Sequence, residues 1–160
     1  MEHLLLSVHV LAGIVFVGGS AAATSLFPRY LPVIVGVTVG APVPEAPQAP
    51  QERNRAVAVA LHRITRGYSA FGLIVPAAGI VLAFVQGRSG EIWISVAIAL
   101  TAAAGVLLAL QIYPRQRDAL AGTGDPDRLR TLSMLAGIYN VLWAVVVVLM
   151  IVRPGAAPGA

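Results

Sequence analysis

Residues 4–27 read LLLSVHVLAGIVFVGGSAAATSLF, a run with no charged side chain whose one titratable group of physiological interest is His9. As a helix, a run of this length covers the roughly 30 Å hydrocarbon core of a bilayer, which takes about 20 residues. It lacks the strict alternation that a membrane barrel strand requires. Helices and closed barrels are the two structures that satisfy their own backbone in lipid, so the stretch reads as a transmembrane helix. Three further charge-free runs of comparable length follow, at 67–86, 92–113 and 132–152. The sequence therefore predicts an all-α membrane protein: one transmembrane domain over residues 1–160, built as a four-transmembrane-helix bundle.

The whole chain has the matching composition. Of its 160 residues 58% are hydrophobic and 11% charged, and the mean hydropathy is +0.82, far outside the soluble globular range. All 11 basic side chains are arginine. The absence of lysine excludes chemistry that needs a side-chain amine or a Schiff base. With no cysteine, disulfides, iron–sulfur clusters and thiolate metal sites are excluded too. The high isoelectric point does not indicate nucleic acid, because the arginines flank apolar runs, where they act as topology signals.

Their distribution sets the orientation. Arg29, Arg53, Arg55, Arg63, Arg66, Arg115, Arg117, Arg128 and Arg130 belong to the first and third loops and the helix ends beside them, against Arg88 and Arg153 on the other side. The positive-inside rule places those two loops in the cytoplasm and both termini outside a bacterial inner membrane. The first loop contains a short apolar piece, 31–41, bounded by prolines and read as interfacial or re-entrant. A Pro-rich cytoplasmic insertion, 41–50, follows as an extended linker, and a helix is expected to restart at Gln51 and to be amphipathic over 55–68. Trp93, Tyr30, Tyr68 and Tyr113 are placed for interfacial belts. SAAATS, residues 20–25, offers the small residues of a signal-cleavage site, but the N-terminus has Glu2 and no basic residue, so the first helix is expected to be retained.

Few residues carry recognisable chemistry. His9 lies about 7 to 8 Å inside the outer end of its helix. Neutral imidazole is a common ligand of haem iron and of metals, and Gly13, Gly18 and Gly19 would let a flat macrocycle approach. The same residues equally suit a histidine hydrogen-bonded to a neighbouring helix, with glycines admitting close packing. His62 falls near the opposite membrane face, roughly 20 Å away in depth, so it cannot share a haem or metal with His9; it is expected at the headgroups. His3 lies at the outer terminus. Asn140, near the midplane of the last run, reads as interhelical glue or as a contact for a cofactor edge. Pro76 and Gly79 predict a kink or a close helix contact. Asp125 or Asp127, after the GTGDP turn, is expected to cap the last helix.

All seven carboxylates lie in loops or at helix ends, which weighs against an ion-coupled carrier. There is no phosphate loop, no HExxH and no GxSxG. No catalytic residue and no metal site is therefore assigned.

HVLAGIVFVGG, residues 9–19, resembles the first-helix pattern of bacterial copper-resistance D-type membrane domains, in which a histidine precedes an aromatic and a Gly-Gly pair. SLFPRY (25–30), LHRI (61–64) and NVLWAVVVVLMIVRPG (140–155) are similar to an actinobacterial branch of an uncharacterised family of integral membrane proteins related to those domains. His9 and the Phe27-Pro28-Arg29 motif also resemble membrane-bound protoporphyrinogen oxidases, which would imply haem or porphyrin chemistry with a first-helix histidine and a functional lysine. This chain has no lysine.

Three functional expectations follow. The first is a non-catalytic accessory or structural subunit, whose partners are the lipid bilayer and other membrane proteins. The second is a haem b or metal-binding membrane protein using His9. The third is a small transporter.

Overall fold

The computed structural model describes residues 2–32, 48–71, 74–85, 87, 90–122 and 125–155. Regular structure among these is entirely helical. Helix α1 spans Glu2–Tyr30, α2 Gln48–Phe71, α3 Ile74–Val85 and α4 Ile92–Val106. A π-helical turn, Leu107–Ile112, joins α4 directly to α5, Tyr113–Ala121, and α6 covers Pro126–Val152. Among the described residues three helical stretches are long and apolar enough to cross a membrane: Leu6–Tyr30, Ile92–Ala121 and Pro126–Val152, with mean hydropathies of 1.9, 2.3 and 2.5. The chain is a helical membrane protein.

Most helix boundaries have a local cause. Asp125 caps α6, its side chain accepting from the Asp127 N–H at 3.0 Å, and Pro126 occupies the first turn, where its missing donor costs nothing. At the other end Arg153 takes a left-handed conformation (φ 46°) and its N–H returns to the Leu149 carbonyl. The π turn lies just ahead of Pro114: proline cannot donate to the carbonyl one α-turn earlier and crowds it, and the wider register relieves that clash.

One expectation needs correction. The restart of helix at Gln51 comes too late, because residues 48–50 are already part of α2. The end of the 41–50 linker is therefore helical. The second predicted run, 67–86, falls on α2 and α3, with residues 72, 73 and 86 outside the described residues. The expected interfacial piece lies outside the described residues from position 33 onward, as does the linker up to 47.

Helix α1 packs against α2, α3 and α6; α6 also packs against α4, α2 against α5, and α3 against α4. Three contacts fix how α2 and α3 lie along α1. The Phe27 and His62 rings are 6.5 Å apart, Tyr68 lies over Gly19, and His9 lies against Gly79. His62 and Gly79 are 17 residues apart and their α1 partners 18, so the two columns run antiparallel in one steady register. Opposite residues 4–27 stand roughly residues 61–84, a segment that starts six positions before the charge-free run 67–86 and ends two before it.

The buried core runs along most of the bundle, on α6 from Leu129 to Val146 and on α4 and α5 from Ile94 to Ala119. On α1 it comprises Phe16, Ser20, Ala23, Thr24 and Phe27, continuing to Leu31 just beyond the helix. Opposite them lie Leu108, Ile112 and Gln116, and on α6 Leu129, Leu132, Ala136, Tyr139, Trp143 and Val146. The α6 positions alternate steps of three and four, the seam that a helix presents to close neighbours.

Candidate functional site

Two clusters of polar groups join helices inside the bundle, and His9 lies apart from them. The first cluster ties α1 to α6 and α2. Tyr139 donates to the Ser20 hydroxyl at 2.8 Å, and Ser20 in turn donates to the Phe16 carbonyl at 2.6 Å. One turn along, the Asn140 amide donates to the Ser25 hydroxyl at 2.9 Å. The Tyr68 hydroxyl donates to the Val15 carbonyl at 3.1 Å, with its ring edge-on to Phe16 at 5.1 Å. Phe16 also meets Trp143 at 5.9 Å, so three aromatic rings and a serine close this part of the bundle. Gly19 makes the arrangement possible: a Cβ at that position would sit 2.0 Å from the Tyr68 hydroxyl oxygen. The Asn140 carbonyl oxygen and the Trp143 indole nitrogen are buried without a hydrogen-bond partner among the described residues.

The second cluster lies where α2 meets α5. His62 stacks on Tyr113, the rings 5.1 Å apart and within 4° of parallel, and its Nδ1 is 3.4 Å from the Gln116 side-chain oxygen. Gln116 is wholly buried and its amide nitrogen has no partner among the described residues. Nearby, Arg55 donates to the Leu120 carbonyl at 3.1 Å, tying α2 to the end of α5.

His9 stands apart from both. It is half-buried on α1 and faces α3, its Cε1 atom 3.5 Å from where a Cβ on Gly79 would be. His62 is level with Phe27, 18 residues and about 27 Å further along α1. The two histidines stay apart, as their positions in the sequence require. His3 is exposed, and among the described residues no three histidine, cysteine or acidic side chains gather to hold a metal ion.

Asn140 makes the interhelical hydrogen bond expected of it, and Asp125 rather than Asp127 is the cap. Gly79 makes a close helix contact. His62 and Tyr68 are half-buried, and both pack against other helices. Gln116, Ser20 and Ser25 were not anticipated. A signal for Gln116 is present in the sequence: it follows Leu108 and Ile112 at steps of four and precedes Ala119 by three, the spacing of one helix face. Its place among arginines and an aspartate masks that pattern.

No protein-family model, curated protein or solved structure matches this chain.

Proposed function

We propose that this protein is a non-catalytic accessory or structural subunit that packs against a larger complex in a bacterial inner membrane. The chain crosses four times in this reading, with α2 and α3 together supplying the fourth crossing and both termini outside. Kinship with the family related to copper-resistance D-type domains belongs to the same proposal and rests on the quoted motifs alone.

One observation carries the reading: α6 has a second seam. Its inward face is occupied by the core, while Ser133, Gly137 and Ala144 lie exposed on the outward side, beside Met134, Ile138, Val141, Val145 and Val148. Small residues at such spacing let another helix approach closely in lipid, where packing rather than hydrophobicity drives association. No Cβ clash guards Gly137 from within the chain. Meanwhile Tyr139, Asn140, Ser20 and Ser25 are engaged in joining helices.

Purification of the full chain from its native membrane in mild detergent tests this. A stoichiometric membrane-protein partner is expected with the wild type and should be lost from Gly137→Leu, while that variant keeps its helix content. Isolation of the wild type alone, from membranes where cross-linking also finds no neighbour, would overturn the proposal. The contact of His9 with α3 favours packing over ligation. A Soret band in the same preparation that disappears in His9→Ala would reverse that preference and put haem binding first.

A further inference from the structure

Between α5 and the start of α6 lies a cleft of about 290 Å³ lined by Arg115, Asp118, Asp127, Arg128 and Thr131. We propose that it binds the headgroup of a phospholipid bearing both a phosphate and a primary ammonium, of the phosphatidylethanolamine type. This inference rests on the protein being in a membrane, and not on which partner it has.

The depth of the cleft is the first argument. His62 is in ring contact with both Phe27 and Tyr113, which puts those residues at one level, the end of the apolar runs on α1 and α4–α5. Arg115 and Asp118 follow Tyr113 by two and five residues; Thr131, Arg128 and Asp127 precede Leu132, where the apolar part of α6 begins, by one to five. At 1.5 Å per residue these groups fall within about 8 Å of the hydrocarbon boundary. A headgroup layer is roughly 5 to 7 Å deep on each side. The cleft therefore opens into the layer where phosphates and amines are concentrated.

The second argument is charge. Two arginines and two aspartates line the cleft, so it has no net charge to favour a purely anionic ligand. The charges are also incompletely matched within the protein. Arg117 takes Asp118 at 3.2 Å and Asp125 takes Arg128 at 3.5 Å. Among the described residues Arg115 bonds only to the carbonyl and side-chain oxygens of Gln111, and the Asp127 carboxylate has no ion-pair partner. One unpaired cation and one unpaired anion thus share a cleft, and a headgroup with its phosphate on Arg115 and its ammonium on Asp127 answers both. The Thr131 hydroxyl donates to the Asp127 carbonyl, so it stands beside the ammonium end.

The third argument selects the amine. Choline carries no N–H to give to a carboxylate, and proteins recognise it with aromatic faces. None of the five lining residues is aromatic. A primary ammonium, with three donors, suits aspartates instead.

The test uses the full chain, delipidated in detergent and titrated separately with phosphatidylethanolamine, phosphatidylcholine and phosphatidylglycerol of identical acyl chains, with bound lipid counted by native mass spectrometry. Phosphatidylethanolamine should be retained about three- to fivefold better than either of the others, the scale of one or two exposed ion pairs. Asp118→Asn with Asp127→Asn should reverse the order in favour of phosphatidylglycerol, and Arg115→Gln should weaken phosphatidylethanolamine retention to the level of phosphatidylcholine. All three substituted side chains are exposed, and circular dichroism checks that helix content is unchanged. Equal retention of the three lipids by the wild type, or a double variant that keeps the wild-type order, would overturn the proposal. Displacement of the lipid by free phosphoethanolamine at similar concentration would also overturn it, by identifying the occupant as a soluble zwitterion.

Discussion

The two halves of α1 share one charge-free run, residues 4–27, and are differently built. From His3 to Val15 no described residue is buried; Val8, Leu11, Ile14 and Val15 are among the most exposed side chains of the helix, and only His9 and Gly13 are half-covered. From Phe16 onward every turn contributes a buried side chain, and the hydroxyls of Ser20 and Thr24 bond back to carbonyls of their own helix. Lipid accepts an apolar side chain as readily as a protein core does, so apolarity places a helix in the membrane without saying which part of it touches other helices. Shape and hydrogen bonding make that distinction, and both are concentrated in the second half.

The sharpest way to break the comparison is at its adjacent glycines. Gly19→Ala places a methyl group where the Tyr68 hydroxyl lies, so the ring must leave its contact with Phe16 and its bond to Val15. A loss of about 1–3 kcal/mol is expected, as for overpacking elsewhere. Gly18→Ala, one residue away, meets nothing within 4 Å and should leave stability within about 0.5 kcal/mol of wild type. Unfolding in mixed micelles by a denaturing detergent, followed by circular dichroism, compares the two directly. Equal effects would mean that the Tyr68 contact is not what holds this half together.

Tyr139→Phe gives a smaller effect. It removes one interhelical donor but leaves Ser20 bonded to Phe16, so the expected loss is about 0.6 kcal/mol, the average for such bonds in a membrane. If Ser20→Ala, alone and combined with Tyr139→Phe, gives strictly additive losses, the two hydroxyls are not coupled. The smallest effect belongs to the N-terminal half. His9→Ala removes a half-covered ring that lies against Gly79, and a change of no more than about 0.5 kcal/mol is expected in the same unfolding measurement. A loss as large as that of Gly19→Ala would give the N-terminal half a structural anchor.

Much of the architecture is legible in the chain itself. The runs at 92–113 and 132–152 fall within helical stretches long enough to cross a bilayer, and the run at 4–27 overlaps a third, Leu6–Tyr30, because length and apolarity are local properties. The cap at Asp125 is local as well, since its side chain reaches an N–H two residues on. The seam on α6 can be read from steps of three and four, but its two faces cannot be told apart by hydropathy. Val146 is in the core, and Val145, just as apolar, faces outward. The run at 67–86 marks where charge stops, while the register against α1 also brings in His62, Arg63 and Arg66, with both arginines exposed.

The sequence by itself determined that this is a helical membrane protein and where its long apolar helices lie, because transfer into lipid depends on the composition of each segment in turn. Only the tertiary structure decided that Tyr68 lies over Gly19, that His62 stacks on Tyr113 beside a buried Gln116, and that Arg115 and Asp127 share one cleft. Each of those depends on how far one helix has slid and turned against another, which is set by the fit of side chains distant in the chain and leaves no mark on the hydropathy of either segment.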